Sequence, residues 1–286
     1  MIIINIRRNI VQKLQKWKER KDRKPLILQG ARQIGKTTAI RMFAQESYAH
    51  LAEFNFDKNK ELKTLFERTK DIKRILQGLT FFTDVPIQSE GTLIFFDEIQ
   101  ECANARSSIK PFCEDGRFDI IATGSLLGIK GYNKKKGKGV PTGFERIVYM
   151  KPMDFEEFLW AKGINESVIA YIRECYENKT PVSEATHQAM LRYFKEYICV
   201  GGLPYIVDRF ISTNDMNVVW QEQHDIIEEY KDDFGKHLDE NENEEIDFSL
   251  LGRINKVFDS IPAQLAKENK KFVFSALEKK GRSEKY

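Results

Sequence analysis

Residues 30–37 read Gly30-Ala31-Arg32-Gln33-Ile34-Gly35-Lys36-Thr37, a glycine-rich segment of the pattern GxxxxGKT. The apolar run at residues 26–28 precedes this segment, and residues 39–44 after it have the spacing of a helix. A strand, a glycine-rich turn and a helix in this order are typical of a loop that binds the phosphates of a nucleotide. The segment therefore predicts an α/β domain of the P-loop type.

The residue types in this loop suit phosphate binding. Gly30 and Gly35 allow the backbone to curl with its N–H groups facing inward, where a β-carbon would collide with phosphate. Lys36 supplies a mobile positive charge for the β- and γ-phosphates, and Thr37 supplies a hydroxyl for Mg²⁺. We therefore predict that ATP and Mg²⁺ are bound here, by Gly30, Ala31, Arg32, Gln33, Ile34, Gly35, Lys36, Thr37 and Thr38.

A second signal is the apolar strand at residues 92–96, which ends in two acids, Asp97 and Glu98. Ligands of open α/β sheets bind at the carboxyl ends of the strands, and adjacent strand residues point to opposite sides. Asp97 is predicted to complete the Mg²⁺ site with Thr37, and Glu98 to orient and deprotonate the attacking water. Acids after a strand also cap helices, but the phosphate loop upstream favours the catalytic interpretation.

A third signal is the segment Ile120-Ile121-Ala122-Thr123-Gly124-Ser125, a buried strand that ends in hydroxyl groups. Thr123 or Ser125 is predicted to hydrogen-bond the γ-phosphate or the attacking water. An ordinary Ser/Thr turn is the alternative, and the residues alone do not decide between the two.

The order of apolar and helical segments predicts the domain organisation. Residues 1–24 have the pattern of a basic amphipathic helix, with Ile6, Ile10, Leu14 and Trp17 on one stripe. Residues 25–152 alternate strands with helices, which predicts an α/β layer with a mostly parallel sheet. Residues 153–235 are predicted to form a helical, lid-like domain, and residues 236–286 to begin a further helical domain.

Composition excludes several classes of protein. The 286 residues are 41% hydrophobic, which is enough for a packed core and excludes general disorder. No apolar stretch is long enough for a membrane-spanning helix, so no membrane partner is expected. A net charge of +3 does not by itself indicate a nucleic-acid partner. Four cysteines without a CxxC pair predict reduced thiols and a cytoplasmic location.

Several motifs together resemble a known family. They are GARQIGKTT at residues 30–38, LIFFDEIQ at 93–100, IIATGS at 120–125, PTGF at 141–144, KPMDFEEFLWAKG at 151–163 and the later turn GGLP at 201–204. This set is similar to bacterial and archaeal AAA+-type P-loop ATPases whose C-terminal half carries the domain of unknown function numbered 4143. The resemblance spans roughly residues 5–286 and is most specific at residues 30–163.

The resemblance implies a fold and a set of roles. The fold is a three-layer AAA+-like core with the sheet order 5-1-4-3-2, followed by helices. The roles are those given above for Lys36, Thr37, Asp97 and Glu98, with Thr123 or Ser125 as the polar sensor. Members usually continue into a winged-helix-like region and a nuclease-like fold. This chain ends near the start of that part, so we expect it to be either cut short or a short member, and no nuclease activity is carried over.

The sequence departs from the family at one position. Many members have Gly-Arg where this chain has Gly143 and Phe144. That arginine is a natural candidate for stabilising charge in the transition state. In this chain, the arginines that could replace it are Arg146 and Arg32. Each of them could equally form a purely structural ion pair.

Three functions agree with these features. The first is an ATPase that couples its nucleotide state to movement of the helical domain. The second is a nucleotide-dependent switch or scaffold with little turnover of its own. The third, less favoured, is a P-loop kinase. The sequence leaves open whether the protein forms a homo-oligomer. It also leaves open whether the basic loop around Lys134, Lys135 and Lys136 contacts a nucleic acid.

Overall fold

A sheet of five parallel strands lies at the centre of the N-terminal part of the chain. The strands are β1 (Leu26–Gly30), β2 (His50–Asn55), β3 (Thr92–Asp97), β4 (Asp119–Ser125) and β5 (Arg146–Tyr149). Their order across the sheet is β2-β3-β4-β1-β5, and every neighbouring pair is parallel. Read from the other edge, this is the expected order 5-1-4-3-2, so the predicted α/β class and topology are confirmed.

The structure is a computed structural model that describes residues 6–125, 143–239, 248–269 and 271–274. The chain divides into two compact units, Met1–Asn214 and Asp215–Tyr286. The domain boundaries that the sequence predicts after residues 24, 152 and 235 are not tested by this division and remain predictions. The basic loop around Lys134 to Lys136 lies outside the described residues.

Helices cover both faces of the sheet and make three layers. On one face lie α1 (Asn9–Lys18) and α2 (Lys36–Ser47). On the other face lie α3 (Lys60–Arg68), α4 (Ile72–Leu79) and α5 (Ala103–Asp115). Helix α1 is shorter than the predicted 1–24, because the backbone of Arg8 before it is extended and the helix stops before the charged run at residues 19–24.

Alternation along the strands divides the core between the two faces. In β3, Leu93 and Phe95 pack with α1 and α2, whereas Ile94 and Phe96 pack with α3 to α5. Side chains of successive strand residues point to opposite faces, and both faces of this sheet are covered, so the whole strand is apolar. The consequence is a rigid β3 whose last residue, Asp97, has a fixed position.

After β5, the described residues of the first unit form four further helices: α6 (Phe155–Ala161), α7 (Glu166–Glu177), α8 (Glu184–Val200) and α9 (Pro204–Thr213). Helix α6 begins with a capping box, in which Asp154 and Glu157 each accept a hydrogen bond from the other's backbone N–H. The Phe158 ring packs against the rings of Tyr197 on α8 and Phe210 on α9. These contacts hold α6, α8 and α9 together.

The described part of the second unit is mostly helical, as the sequence predicts. It contains α10 (Met216–Asp239) and α11 (Phe248–Leu265). The rings of Phe234 and Phe258 meet edge to face with centroids 5.2 Å apart, and Lys231 pairs with Asp259 at 3.1 Å. Across the described residues of both units, every helix is too short or too polar to cross a membrane.

Candidate functional site

The glycine-rich loop joins the end of β1 to the start of α2. Gln33 and Gly35 have positive φ angles of 61° and 86°, so the chain curls sharply before α2. A β-carbon on Gly30 would lie 2.4 Å from the Ile34 side chain and 2.6 Å from the Met150 carbonyl oxygen. The first position of the loop therefore has room only for glycine. Ala31 and Arg32 lie in the loop, and Thr38 lies in the first turn of α2.

Lys36 is the first residue of α2, and its side chain turns back into the loop. Its Nζ donates hydrogen bonds to the carbonyl oxygens of Gly30 at 3.1 Å and Ala31 at 2.8 Å. Burial lowers the pKa of the Lys36 ammonium, and the nearby carboxylates of Glu98 and Asp97 partly oppose that shift. The loop thus encloses a cation held by weak carbonyl partners, which anionic phosphate oxygens can replace.

Asp97 is the centre of the polar cluster beside the loop. The Thr37 hydroxyl lies 3.3 Å from both carboxylate oxygens of Asp97, and the Thr123 hydroxyl donates to the same carboxylate. The Asn55 amide donates to Asp97 Oδ2 at 3.0 Å, because the parallel register places Asn55 opposite Asp97. Three strand ends and the first turn of α2 therefore meet at one carboxylate.

Glu98 lies in a strained turn directly after β3. Its backbone is left-handed, with φ 52° and ψ 50°, a conformation that costs free energy in a residue with a side chain. The Glu98 N–H donates to the Thr123 hydroxyl at 3.1 Å, and the Gln100 amide donates to the Glu98 carboxylate. These two contacts hold the strained turn in place.

A cavity of about 500 Å³ opens in front of this cluster. The side chains that line it are Thr37, Arg41, Glu53, Asn55, Asp57, Lys58, Asp97 and Glu98. A hydroxyl and a single carboxylate suit Mg²⁺, which keeps several of its waters and takes other oxygens from phosphates. Among the described residues no group of three or more His, Cys, Asp or Glu side chains could hold a metal ion by itself. The donor set therefore fits Mg²⁺ bound together with a nucleotide.

Of two other predicted residues, Arg146 lies away from this cluster and Ser125 ends the strand beside the loop. Arg146 pairs with Leu26 at the first residues of β5 and β1. In a parallel sheet these strand starts form the edge opposite the loop, so Arg146 of the same chain does not reach the phosphates. Ser125 pairs by its backbone with Gly30, but its side chain lies outside the described part of the chain.

Sequence reasoning missed four side chains of this region. Asn55 is the last residue of β2, and the rule that parallel strands end at one edge was sufficient to find it. Arg41 and Glu53 form a two-pronged ion pair in the cavity wall, with separations of 2.8 and 2.6 Å. Arg8 donates to the Ile34 carbonyl of the loop at 2.7 Å. No pattern near Arg8 in the sequence signals that contact.

Comparisons with known families agree with the fold. Residues 22–159 match a family model described as an AAA domain, which confirms the resemblance to AAA+-type P-loop ATPases. Residues 191–286 match a model described as a domain of unknown function, DUF8612. The expected domain of unknown function 4143 is not confirmed, because the domain found in its place is a different one. No curated protein matches the chain.

Two solved structures are similar to parts of the chain. The Aeropyrum pernix ORC2 protein, solved in ADPNP and ADP complexes, has 16% identity and a TM-score of 0.38 over 55% of this chain and 50% of its own. C. elegans PCH-2 has 11% identity and a TM-score of 0.38 over 76% of this chain and 66% of its own. The chain thus spans half the length of ORC2.

Proposed function

We propose that this chain, whose residues 22–159 match the model of an AAA domain, binds ATP with Mg²⁺ at the loop between β1 and α2 and hydrolyses it. One observation carries the proposal. The buried ammonium of Lys36, the Thr37 hydroxyl and the carboxylates of Asp97 and Glu98 converge where β1 and β3 end, beside a cavity of about 500 Å³. These are the groups that phosphoryl transfer to water requires.

Each side chain then has a stated task. The loop N–H groups and the start of α2 bind the phosphates, and Lys36 exchanges the Gly30 and Ala31 carbonyls for phosphate oxygens. Thr37 and Asp97 hold Mg²⁺, which when bound neutralises charge on the phosphates. Water attacks the γ-phosphorus, the bond to the bridging oxygen breaks, and Glu98 takes the proton of the water.

We also propose that the nucleotide state reaches the helices after the sheet. Pro204, the first residue of α9, supports this idea, because its Cγ lies 3.5 Å from the position of a β-carbon on Gly35. A loop that tightens around phosphate would press on α9 at that point. A cytoplasmic location, self-association and nucleic-acid binding stay predictions.

A nucleotide-dependent switch is the second candidate, and the position of Arg146 favours it. Since Arg146 starts β5 at the edge away from the loop, rapid turnover would need either Arg32 of the loop or an arginine from another molecule. A switch of this kind binds ATP tightly without releasing phosphate. Ligand present at a hundredfold excess over Kd stabilises a protein by about 2.7 kcal/mol, so binding is measurable without turnover.

The test compares phosphate release and ATP·Mg²⁺-dependent thermal stabilisation in four proteins. They are the wild type, Lys36→Ala, Glu98→Gln and the control Lys16→Ala, which removes an exposed charge from α1. We expect Lys36→Ala to lose both signals. Glu98→Gln should keep the stabilisation and lose at least about a hundredfold in rate, because only the base is removed.

Each other outcome has a defined meaning. Glu98→Gln turning over as fast as wild type would show that Glu98 is not the base. Stabilisation of the wild type without phosphate release would favour the switch. Consumption of ATP that depends on an added acceptor would indicate a kinase.

A further inference from the structure

Arg8 is a buried arginine that contacts the phosphate loop from outside. It lies immediately before α1 and is 6% exposed. Its Nη1 donates to the carbonyl oxygen of Ile34 at 2.7 Å, and its Nη2 donates to the carbonyl oxygen of Lys151 at 2.8 Å. The same guanidinium group therefore binds the loop and the segment that leads into α6.

Glu157 is the acidic partner of Arg8. Its Oε1 lies 3.1 Å from Arg8 Nε, and each side chain is 5% exposed. The Asn9 N–H at the start of α1 donates to Glu157 Oε1 at 2.6 Å, and the Asp154 N–H donates to Oε2 at 3.1 Å. One carboxylate is thus shared by Arg8, by the first residue of α1 and by the residue that precedes α6.

Burying this pair is costly, so its geometry calls for an explanation beyond stability. Taking two charges out of water costs several kcal/mol for each ion, and apolar residues of similar size often stabilise a protein as well. Lysine could not replace Arg8, because a point charge lacks the planar fork that reaches several acceptors at once. The value of Arg8 lies in the three groups that it holds in fixed positions.

We infer that Arg8 is a positioning residue for the phosphate loop. In a planar trans peptide the C=O and the N–H point in opposite directions. Because Arg8 holds the Ile34 carbonyl, it directs the N–H of Gly35, the other half of that peptide, away from itself. Nη1 lies 3.6 Å from the position of a β-carbon on Gly35. The cation also polarises this peptide and makes its N–H a better donor to phosphate.

The same contacts connect the loop to α6. When phosphate binds and the Ile34–Gly35 peptide tightens, Arg8 transmits the change to the Lys151 carbonyl and to Glu157, which caps α6. This inference rests on the proposed function, since an oriented N–H matters only if phosphate binds there. It adds a second route from the loop to the helices, separate from the Pro204 contact.

The test uses Arg8→Lys in the full chain, with Arg106→Lys as a matched control. Arg106 is equally buried and forms a two-pronged pair with Glu145, with side chains 4% and 5% exposed. ATP affinity and amide hydrogen exchange of residues 155–161 are measured with and without ATP·Mg²⁺. We expect Arg8→Lys to bind ATP at least tenfold more weakly and to lose the nucleotide-dependent slowing of exchange in α6. Arg106→Lys should retain both.

A second variant protects the test if Arg8→Lys does not fold. Glu157→Gln keeps the size of the side chain and one oxygen acceptor, and we expect it to reduce the nucleotide response of α6 by at least half. Arg8→Lys with the affinity and response of Arg106→Lys, or Glu157→Gln with a full response, would overturn the inference alone. A wild type that binds no ATP would instead overturn the proposed function, and this inference with it.

Discussion

Single residues at this site are fixed by space as well as by chemistry. Gly30 has no room for a side chain, since the Ile34 side chain and the Met150 backbone oxygen occupy the position of a β-carbon. Asp97 is held by Thr37, Thr123 and Asn55 at once. Contacts within the protein therefore fix the loop and the carboxylate, and groups fixed in this way reduce the ordering cost of binding.

Gly30→Ala tests the tight fit at the loop. A methyl group there would lie 2.6 Å from a backbone oxygen, which cannot move as a flexible side chain can. We expect the variant to lose about 1–3 kcal/mol of unfolding free energy, the usual cost of overpacking, and to lose ATP binding. Urea unfolding and ATP titration measure these effects.

We expect Gly252→Ala to change the unfolding free energy in the opposite direction. Gly252 lies inside α11, and nothing lies within 4 Å of a β-carbon added there. Alanine should stabilise the protein by about 0.5–1 kcal/mol, because it restricts the unfolded chain and favours the helix. A Gly30→Ala protein as stable as Gly252→Ala would contradict the steric explanation.

The strands of the sheet can be predicted from the sequence more completely than the contacts between elements. The apolar runs and strand-end acids predict the strands and the meeting of Lys36, Thr37 and Asp97, because parallel strands end at one edge. The order of the strands was expected only through the family resemblance. Arg8 could not be predicted, since its partners Ile34 and Glu157 are 26 and 149 positions away and meet it only after packing.

Tyr197 tests how α8 is attached to the segment before α6. Its hydroxyl donates to the Met153 carbonyl at 2.8 Å, and burial, with help from Asp154 and Glu157, raises its pKa above the ordinary value. Because the folded pKa is raised, the stabilisation is fully present below about pH 10, the ordinary tyrosine pKa. It is lost as the pH rises through the folded pKa.

Tyr197→Phe should therefore lower the unfolding free energy by about 1 kcal/mol at pH 8, the usual net value of one hydrogen bond. The difference from wild type should shrink above about pH 10, where tyrosine in the unfolded chain ionises. Urea unfolding at pH 8 and above about pH 10 measures this difference in unfolding free energy. Tyr176→Phe, an exposed position, is the control and should change neither value. A pH-independent difference for Tyr197→Phe would exclude the hydroxyl as its cause.

At the scale of the whole chain, the boundary between the two compact units does not coincide with the start of the second family match. The first compact unit ends at Asn214, whereas the match to DUF8612 begins at residue 191, inside α8. Both hydrophobic clusters on the faces of the sheet lie within the first unit, as do all of the proposed nucleotide-binding residues. The region that matches the AAA domain model and the described helices α6 to α9 thus have their own core.

A chain that ends at Asn214 should therefore unfold cooperatively and keep ATP·Mg²⁺-dependent stabilisation within a few degrees of the full chain. A chain that ends at residue 200 is the control. It lacks α9, whose Ile206, Val207 and Phe210 are buried, and burial of each such side chain contributes about 1.5–3 kcal/mol. We expect the control to be strongly destabilised. Thermal unfolding with and without ATP·Mg²⁺ measures both. Failure of the 214-residue chain to fold, while the full chain binds ATP, would show that the nucleotide site depends on the second unit.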